Sequence, residues 1–184
     1  MKAVINGLAP DKGLYFPQEK VILSKDFIES IKNIDDVEIC YEVMNKYVGD
    51  EIPKQKLIEI INNTISFKIP LKKIEESIYS LELFHGPTLA FKDIGAKFMA
   101  QCLDYFKSSY SSKKITVLVA TSGDTGGAVA KGFSGTKDIE VCILYPKGKI
   151  SKVQERQITT NGDYVKAIEA VSYTHLTLPT STHV

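Results

Sequence analysis

The chain has almost no arginine. Of its 23 basic residues, 22 are lysines and only Arg156 is an arginine. That leaves a single guanidinium for forked recognition of a carboxylate or phosphate. Net charge is nearly absent as well, at +1 over 184 residues, so no strong field draws the protein to nucleic acid or a membrane surface. No apolar run approaches the ~18 residues of a membrane-spanning helix. The first 17 residues contain Lys2, Asp11 and Lys12 and lack the apolar stretch of a secretory signal. Cysteine is scarce and odd in number. Cys40, Cys102 and Cys142 are scattered, with neither a metal-ligand nor a Cys-x-x-Cys spacing. Each lies in an apolar stretch, which predicts buried free thiols in a reducing, cytoplasmic setting.

What is present is an ordinary globular composition. The chain is 43% hydrophobic and 24% charged, which excludes disorder and suffices for a real core. Turn chemistry dominates GLAPDKGLYFP, and three helical patterns follow. Ser24 is placed to cap KDFIESIKN. Asp36 is placed to cap VEICYEVMNKYVG, whose Ile39, Val43, Met44, Tyr47 and Val48 form one stripe. Pro53 occupies a first-turn position of PKQKLIEIINNTIS. A mostly helical unit is therefore expected over residues 1–76.

Beyond it, strand and helix patterns alternate. Strands are predicted at 78–84, 114–121, 139–146 and 164–170, and helices at 97–110 and 126–133. A further helix is predicted from Ser151 to near Gly162. The run KITVLVAT is apolar throughout, as in a strand covered on both faces. The alternation predicts an α/β fold with a parallel sheet and right-handed crossovers. This α/β part runs over residues 77–170.

Two segments carry chemistry. In HGPTLAFKDIGAKF, Lys92 stands between Phe91 and Asp93 at a loop-to-helix boundary after a predicted strand. A lysine there, beside an aromatic ring, can be desolvated and act as a Schiff-base amine. Among 22 lysines, however, any one is far more often solvated than catalytic. In ATSGDTGGAVAKGF, residues Thr121 to Gly127 form a loop of small side chains opening a helix. Such a loop suits a carboxylate or phosphate, and equally a tight N-capped turn. It is neither a P-loop nor G-x-G-x-x-G. A reactive amine and an anion loop, both at the carboxyl edge of a parallel sheet, suit an aldehyde cofactor and a substrate carboxylate.

LELFHGPTLAFKDIGAKFMAQ, VLVATSGDTGGAVAKGF, LYPKGKISKVQERQITTNGD and the opening GLAPDKGLYFP together resemble the threonine synthase family. Its members are pyridoxal-phosphate enzymes of tryptophan-synthase β-like fold, and the resemblance covers roughly residues 7 to 170. It implies that Lys92 forms the Schiff base with the cofactor and that Phe91 and Asp93 fix its approach. It implies that Asp124 lies near the ring hydroxyl. Thr88, Ser122, Gly123, Asp124 and Thr125 are implied as substrate-binding residues. The implied reaction converts O-phospho-L-homoserine and water to L-threonine and phosphate.

From the charge balance and the cysteine spacing, no metal, no nucleic acid and no membrane partner is expected. His85 is read as hydrogen-bonded within its turn. Lys149, Ser151 and Arg156 are read as a helix start and surface charge. Two alternatives are another pyridoxal-phosphate lyase of the same fold, dehydratase-like or acting on another phospho-substrate, and a non-catalytic phosphate-binding α/β module.

Family members are much longer than this chain, and no second glycine-rich loop follows Gly127. A fragment inactive on its own is expected. Residues 171–184, uncharged and holding His175 and His183, are read as a tail foreign to the natural protein.

Overall fold

The computed structural model describes residues 1–110 and 114–171. The residues read as a foreign tail lie outside the described residues from Ser172 onward. The chain divides into two compact units, Met1–Thr64 and the part from Ile65 onward.

The first unit is helical, as its patterning predicts: α1 (Lys2–Asn6), α2 (Lys25–Ser30), α3 (Asp36–Val48) and α4 (Lys54–Thr64). Ser24 caps α2, its hydroxyl accepting from Phe27 N at 3.2 Å. The cap of α3 is Asp35 rather than Asp36. Asp35 has the extended backbone that a cap needs, and one of its oxygens accepts from Val37 N at 2.9 Å and Glu38 N at 3.0 Å. Along α3 the expected stripe is half-buried at Ile39, Val43, Met44 and Val48, whereas Tyr47 is exposed. The best-buried side chains of this unit are Ile52, Leu57, Ile60 and Ile61.

The second unit opens on a hairpin that pattern reading misses. Strand β1 (Leu71–Glu75) pairs antiparallel with β2 (Ile78–Leu81), with an irregularity between Lys73 and Glu75. The strand expected over 78–84 is therefore shorter and belongs to this hairpin, not to the parallel sheet. Next comes α5 (Lys92–Tyr110), which starts at Lys92 itself, five residues before the expected helix. The order then runs β3 (Ile115–Ala120), α6 (Asp124–Gly132), β4 (Ile139–Pro146), α7 (Lys152–Thr159) and β5 (Val165–Ala170). These three strands form one parallel sheet in the order β3-β4-β5.

The core lies under one face of that sheet. Ile139, Val141, Ile143 and Tyr145 alternate along β4 and are all buried. Against them pack α6 and α7. Built onto Gly126 of α6, a Cβ would meet Ile158 of α7 at 3.0 Å and Ile143 at 3.2 Å. The opposite face is less covered: Leu118 of β3 is 50% exposed and Ile168 of β5 is 49% exposed. Thus β3 is not buried on both faces, although its sequence is apolar throughout. It is an edge strand, packed from one side. Of the cysteines only Cys102 is fully buried, and burial pushes its thiol up to about 11; Cys40 and Cys142 are half-buried.

Helices α5 and α6 cross very closely. A Cβ on Gly132 would stand 3.0 Å from the Ala96 carbonyl carbon and 3.1 Å from its oxygen and from Lys97 N. The opposing atoms are helix backbone, which cannot swing aside. Gly132→Ala should therefore destabilise the chain by about 1–3 kcal/mol, read as a lower urea midpoint with unchanged slope. A midpoint at or above the parent's would show that the crossing has slack.

Candidate active site

Two loops converge on α7. The first runs from Glu82 to Phe91 and delivers Lys92 to the first turn of α5. Its conformation is set by Asp93. That carboxylate is buried and accepts from Thr88 N at 2.9 Å through one oxygen and from the Thr88 hydroxyl through the other. Between them Leu89 takes a left-handed backbone conformation (φ 61°), which costs a branched side chain energy and must be held by its surroundings. Two backbone bonds, Leu89 N to Gly86 O and Asp93 N to Ala90 O, both 3.1 Å, complete the turn. Lys92 emerges half-buried, with Nζ 4.3 Å from the centroid of the exposed Phe91 ring. His85 pairs with Glu82 at 2.7 Å within the same loop, as a turn histidine should.

The second loop joins β3 to α6. Thr121 ends the strand, buried, and its hydroxyl accepts from both Gly123 N and Gly126 N at 3.0 Å. One side-chain oxygen thus satisfies two donors at the mouth of the helix, where intrahelical partners are lacking. Gly123 caps α6 with φ 143°, a conformation that L side chains avoid, and a Cβ there would run into Gln154 at 2.5 Å. Ser122 and Asp124 are exposed beside it, and Thr125 is half-buried. The candidate ligand atoms therefore face solvent while the turn beneath them is fixed.

Helix α7 ties the loops together. Ser151 and Gln154 form a reciprocal capping box: Ser151 Oγ accepts from Gln154 N at 3.2 Å, and Gln154 Oε1 accepts from Ser151 N at 2.9 Å. The remaining Nε2 of Gln154 donates to Asp124 Oδ1 at 2.8 Å. One turn on, Gln157 Nε2 donates to the Thr88 carbonyl at 3.2 Å.

The candidate site residues thus fall in two loops and the first turns of the helices they open, α5 and α6, with both loops bonded to α7. Ser151 is a cap, as expected, and Arg156 is exposed. The residues missed are Gln154 and Gln157. The Ser-x-x-Gln spacing at 151–154 signals the capping box, but nothing in it signals a bond to Asp124. Among the described residues no group of three or more His, Cys, Asp or Glu could hold a metal ion. Nor is any described helix long and apolar enough to cross a membrane.

The double acceptor at Thr121 makes a direct prediction. Thr121→Val keeps the side chain's shape and strands two buried N–H groups. It should cost about 1–3 kcal/mol in chemical denaturation. A loss below about 0.5 kcal/mol, the ordinary scatter of neutral substitutions, would mean the turn is held by other forces.

The motifs and fold find their counterparts among known proteins. The family described as "Threonine synthase N terminus" matches residues 1–65. The threonine synthase of Haemophilus influenzae is 46% identical over 167 residues, covering 91% of this chain and 38% of the relative. That of Escherichia coli K12 is 41% identical, with the same coverage. The chain thus spans 38% of the length of these curated relatives. Among solved structures, the crystal structure of E. coli threonine synthase superposes with TM-score 0.84 at 40% identity, over 92% of this chain and 39% of that one. The structure of PLP-bound threonine synthase from Brucella melitensis gives 0.85 at 36%, over 93% and 38%. Over the part of their length that it spans, the chain is similar in sequence and in fold to threonine synthases.

Proposed function

We propose that this chain is the N-terminal part of a pyridoxal-phosphate lyase that turns O-phospho-L-homoserine and water into L-threonine and phosphate. In this reading residues 1–76 are the family's N-terminal unit, and 77–170 open the catalytic domain. The observation that carries it is the pairing of Lys92, at the first turn of α5, with the Ser122–Thr125 loop at the N-terminus of α6, both braced by α7. The similarity to a PLP-bound threonine synthase supports the choice of cofactor.

The residues suit such a group. Lys92 offers an amine against an aromatic face. Gly123 starts α6 at φ 143° with the Gln154 side chain packed where a Cβ would stand, and Ser122 and Asp124 on either side of it are exposed. Bound there, pyridoxal phosphate supplies an electron sink for carbanion chemistry.

Each residue of the chain then has a task. Lys92 Nζ holds the cofactor and afterwards takes and returns protons. Phe91 shields one side of that amine, and Asp93, by pinning Thr88, fixes where α5 begins. Backbone N–H groups at the start of α6, with Ser122 and Thr125, orient the substrate carboxylate through the helix dipole. Thr88 adds a substrate contact from the opposite loop. Asp124, exposed as the first residue of α6, would help hold the cofactor.

Two measurements test this. In a protein of family length carrying residues 1–170, borohydride reduction should leave a cofactor adduct on Lys92. Lys92→Ala should abolish the adduct and lower threonine formation by about a thousandfold or more. An adduct elsewhere, or near-normal turnover without Lys92, would overturn the assignment. The 184-residue chain alone, with 38% of its relatives' length, should form no threonine from O-phospho-L-homoserine above the uncatalysed background.

A further inference from the structure

We infer that Gln154 and Gln157 are positioning residues, which set the anion loop and the lysine loop relative to each other through one face of α7. The inference rests on the functional reading above and extends it to residues that touch neither substrate nor cofactor.

Gln154 uses both ends of its amide. Its Oε1 accepts from Ser151 N at 2.9 Å and so starts α7, and its Nε2 donates to Asp124 Oδ1 at 2.8 Å and so reaches the first residue of α6. The side chain also fills the space that a Cβ on Gly123 would need, 2.5 Å away. It therefore presses on the glycine whose φ of 143° shapes the loop. Gln157 lies three residues on and hence on the same helix face. Its Nε2 holds the carbonyl of Thr88, the residue that Asp93 clamps in front of Lys92.

A chain of bonds thus runs from the Lys92 loop through Thr88, Gln157, the α7 backbone and Gln154 to Asp124. Each loop is fixed internally, by Asp93 in one case and Thr121 in the other. Neither internal bond fixes the two loops to each other. The two glutamines bridge the loops themselves, in addition to the α5–α6 crossing at Gly132 and Ala96, and a shift of about 1 Å between reacting groups is enough to cost a hundredfold in rate.

The capping box supplies a variant that separates positioning from folding. Gln154→Glu keeps the acceptor for Ser151 N, and glutamate at this helix position is as good a cap as glutamine. It loses the donor to Asp124 and sets a second carboxylate against it. Ser151→Ala does the reverse: it weakens the cap and leaves Gln154 Nε2 free to reach Asp124.

In the 184-residue chain, Gln154→Glu should raise amide hydrogen exchange at Gly123 and Gly126 by about three- to tenfold, with exchange in α7 unchanged. Ser151→Ala should speed exchange in the first turn of α7 and leave Gly123 unchanged. Adding Asp124→Asn to Gln154→Glu restores a donor–acceptor pair in the opposite sense and should return Gly123 to parental exchange. Gln157→Glu should speed exchange at Leu89 and leave Gly123 alone.

In the family-length protein, Gln154→Glu should lower kcat/KM by about ten- to a hundredfold while the borohydride-trapped adduct on Lys92 still forms. Unchanged exchange at Gly123 in Gln154→Glu, or an equal rise there in Ser151→Ala, would overturn the proposal. Failure of the parent protein to form the Lys92 adduct would instead sink the functional reading, and the exchange measurements would still judge the brace.

Discussion

The candidate site depends on how one buried hydroxyl ends strand β3. Thr121 Oγ1 accepts from Gly123 N and Gly126 N, so the chain can turn from strand into helix within three residues without stranding a buried donor. A looser turn would set α6 back from the sheet. The close approach of Gly126 to Ile143 and Ile158 would then open, and with it the core under β4. The tight turn also leaves Ser122 and Asp124 outside it, exposed, at the positive end of the helix. Packing and ligand chemistry are thus decided by the same few atoms. The loop therefore has two glycines and a threonine where a plain connector would tolerate almost anything.

The parallel sheet then determines where the second loop must come. Helices that connect parallel strands start at the carboxyl ends of those strands, so α6 and α7 begin on the same side of the sheet as the end of β3. The start of α5 follows the β1–β2 hairpin rather than a parallel strand, and is tied to these helices by the Gly132–Ala96 crossing with α6 and the Gln157–Thr88 bond with α7. The place of Lys92 thus depends on helix contacts rather than on a strand before it.

Much of this was legible in the sequence, and what was not has identifiable causes. Strand β4 reads correctly because its residues bury alternately under two helices, and IEVCILYP has the apolar density for it. The glycines of α6 announce a close-packed helix start. The hairpin is hidden because LKKIE alternates nothing: all five residues of β1 are exposed, and backbone pairing alone defines the strand. Asp35 and Asp36 are equivalent as letters, and only the backbone angle at Asp35 decides which one caps. Long-range side-chain bonds are the least legible. Gln154 and Asp124 are thirty residues apart, and nothing in the pattern of either segment names the other. The motif residues stand out in the sequence because they sit where loops meet helices. The glutamines that hold them were missed because a polar residue on a helix reads as solvated surface.

The face of the sheet away from α6 and α7 shows the limit of composition as a guide. ITVLVA is apolar or β-branched at every position, which reads as burial on both sides, yet Leu118 is half-exposed and Thr116 is exposed too. On the same face lie Cys142 and Leu144 of β4, half-buried, and Ile168 of β5, half-exposed. Parallel sheets are covered on both faces almost without exception, because their crossovers place helices there. Here α6 and α7 pack on β4 and β5 and meet over Ile143 of one face, through Gly126 and Ile158. The strands therefore carry more apolar surface than this chain packs against. Exposed Leu118 and Ile168 forfeit roughly 25 cal/mol for each Å² left in water. The face is apolar around Leu118, Cys142, Leu144 and Ile168 and charged at Glu140 and Lys166, which pair with each other, and a partly apolar second face has the composition of one layer in a larger α/β body.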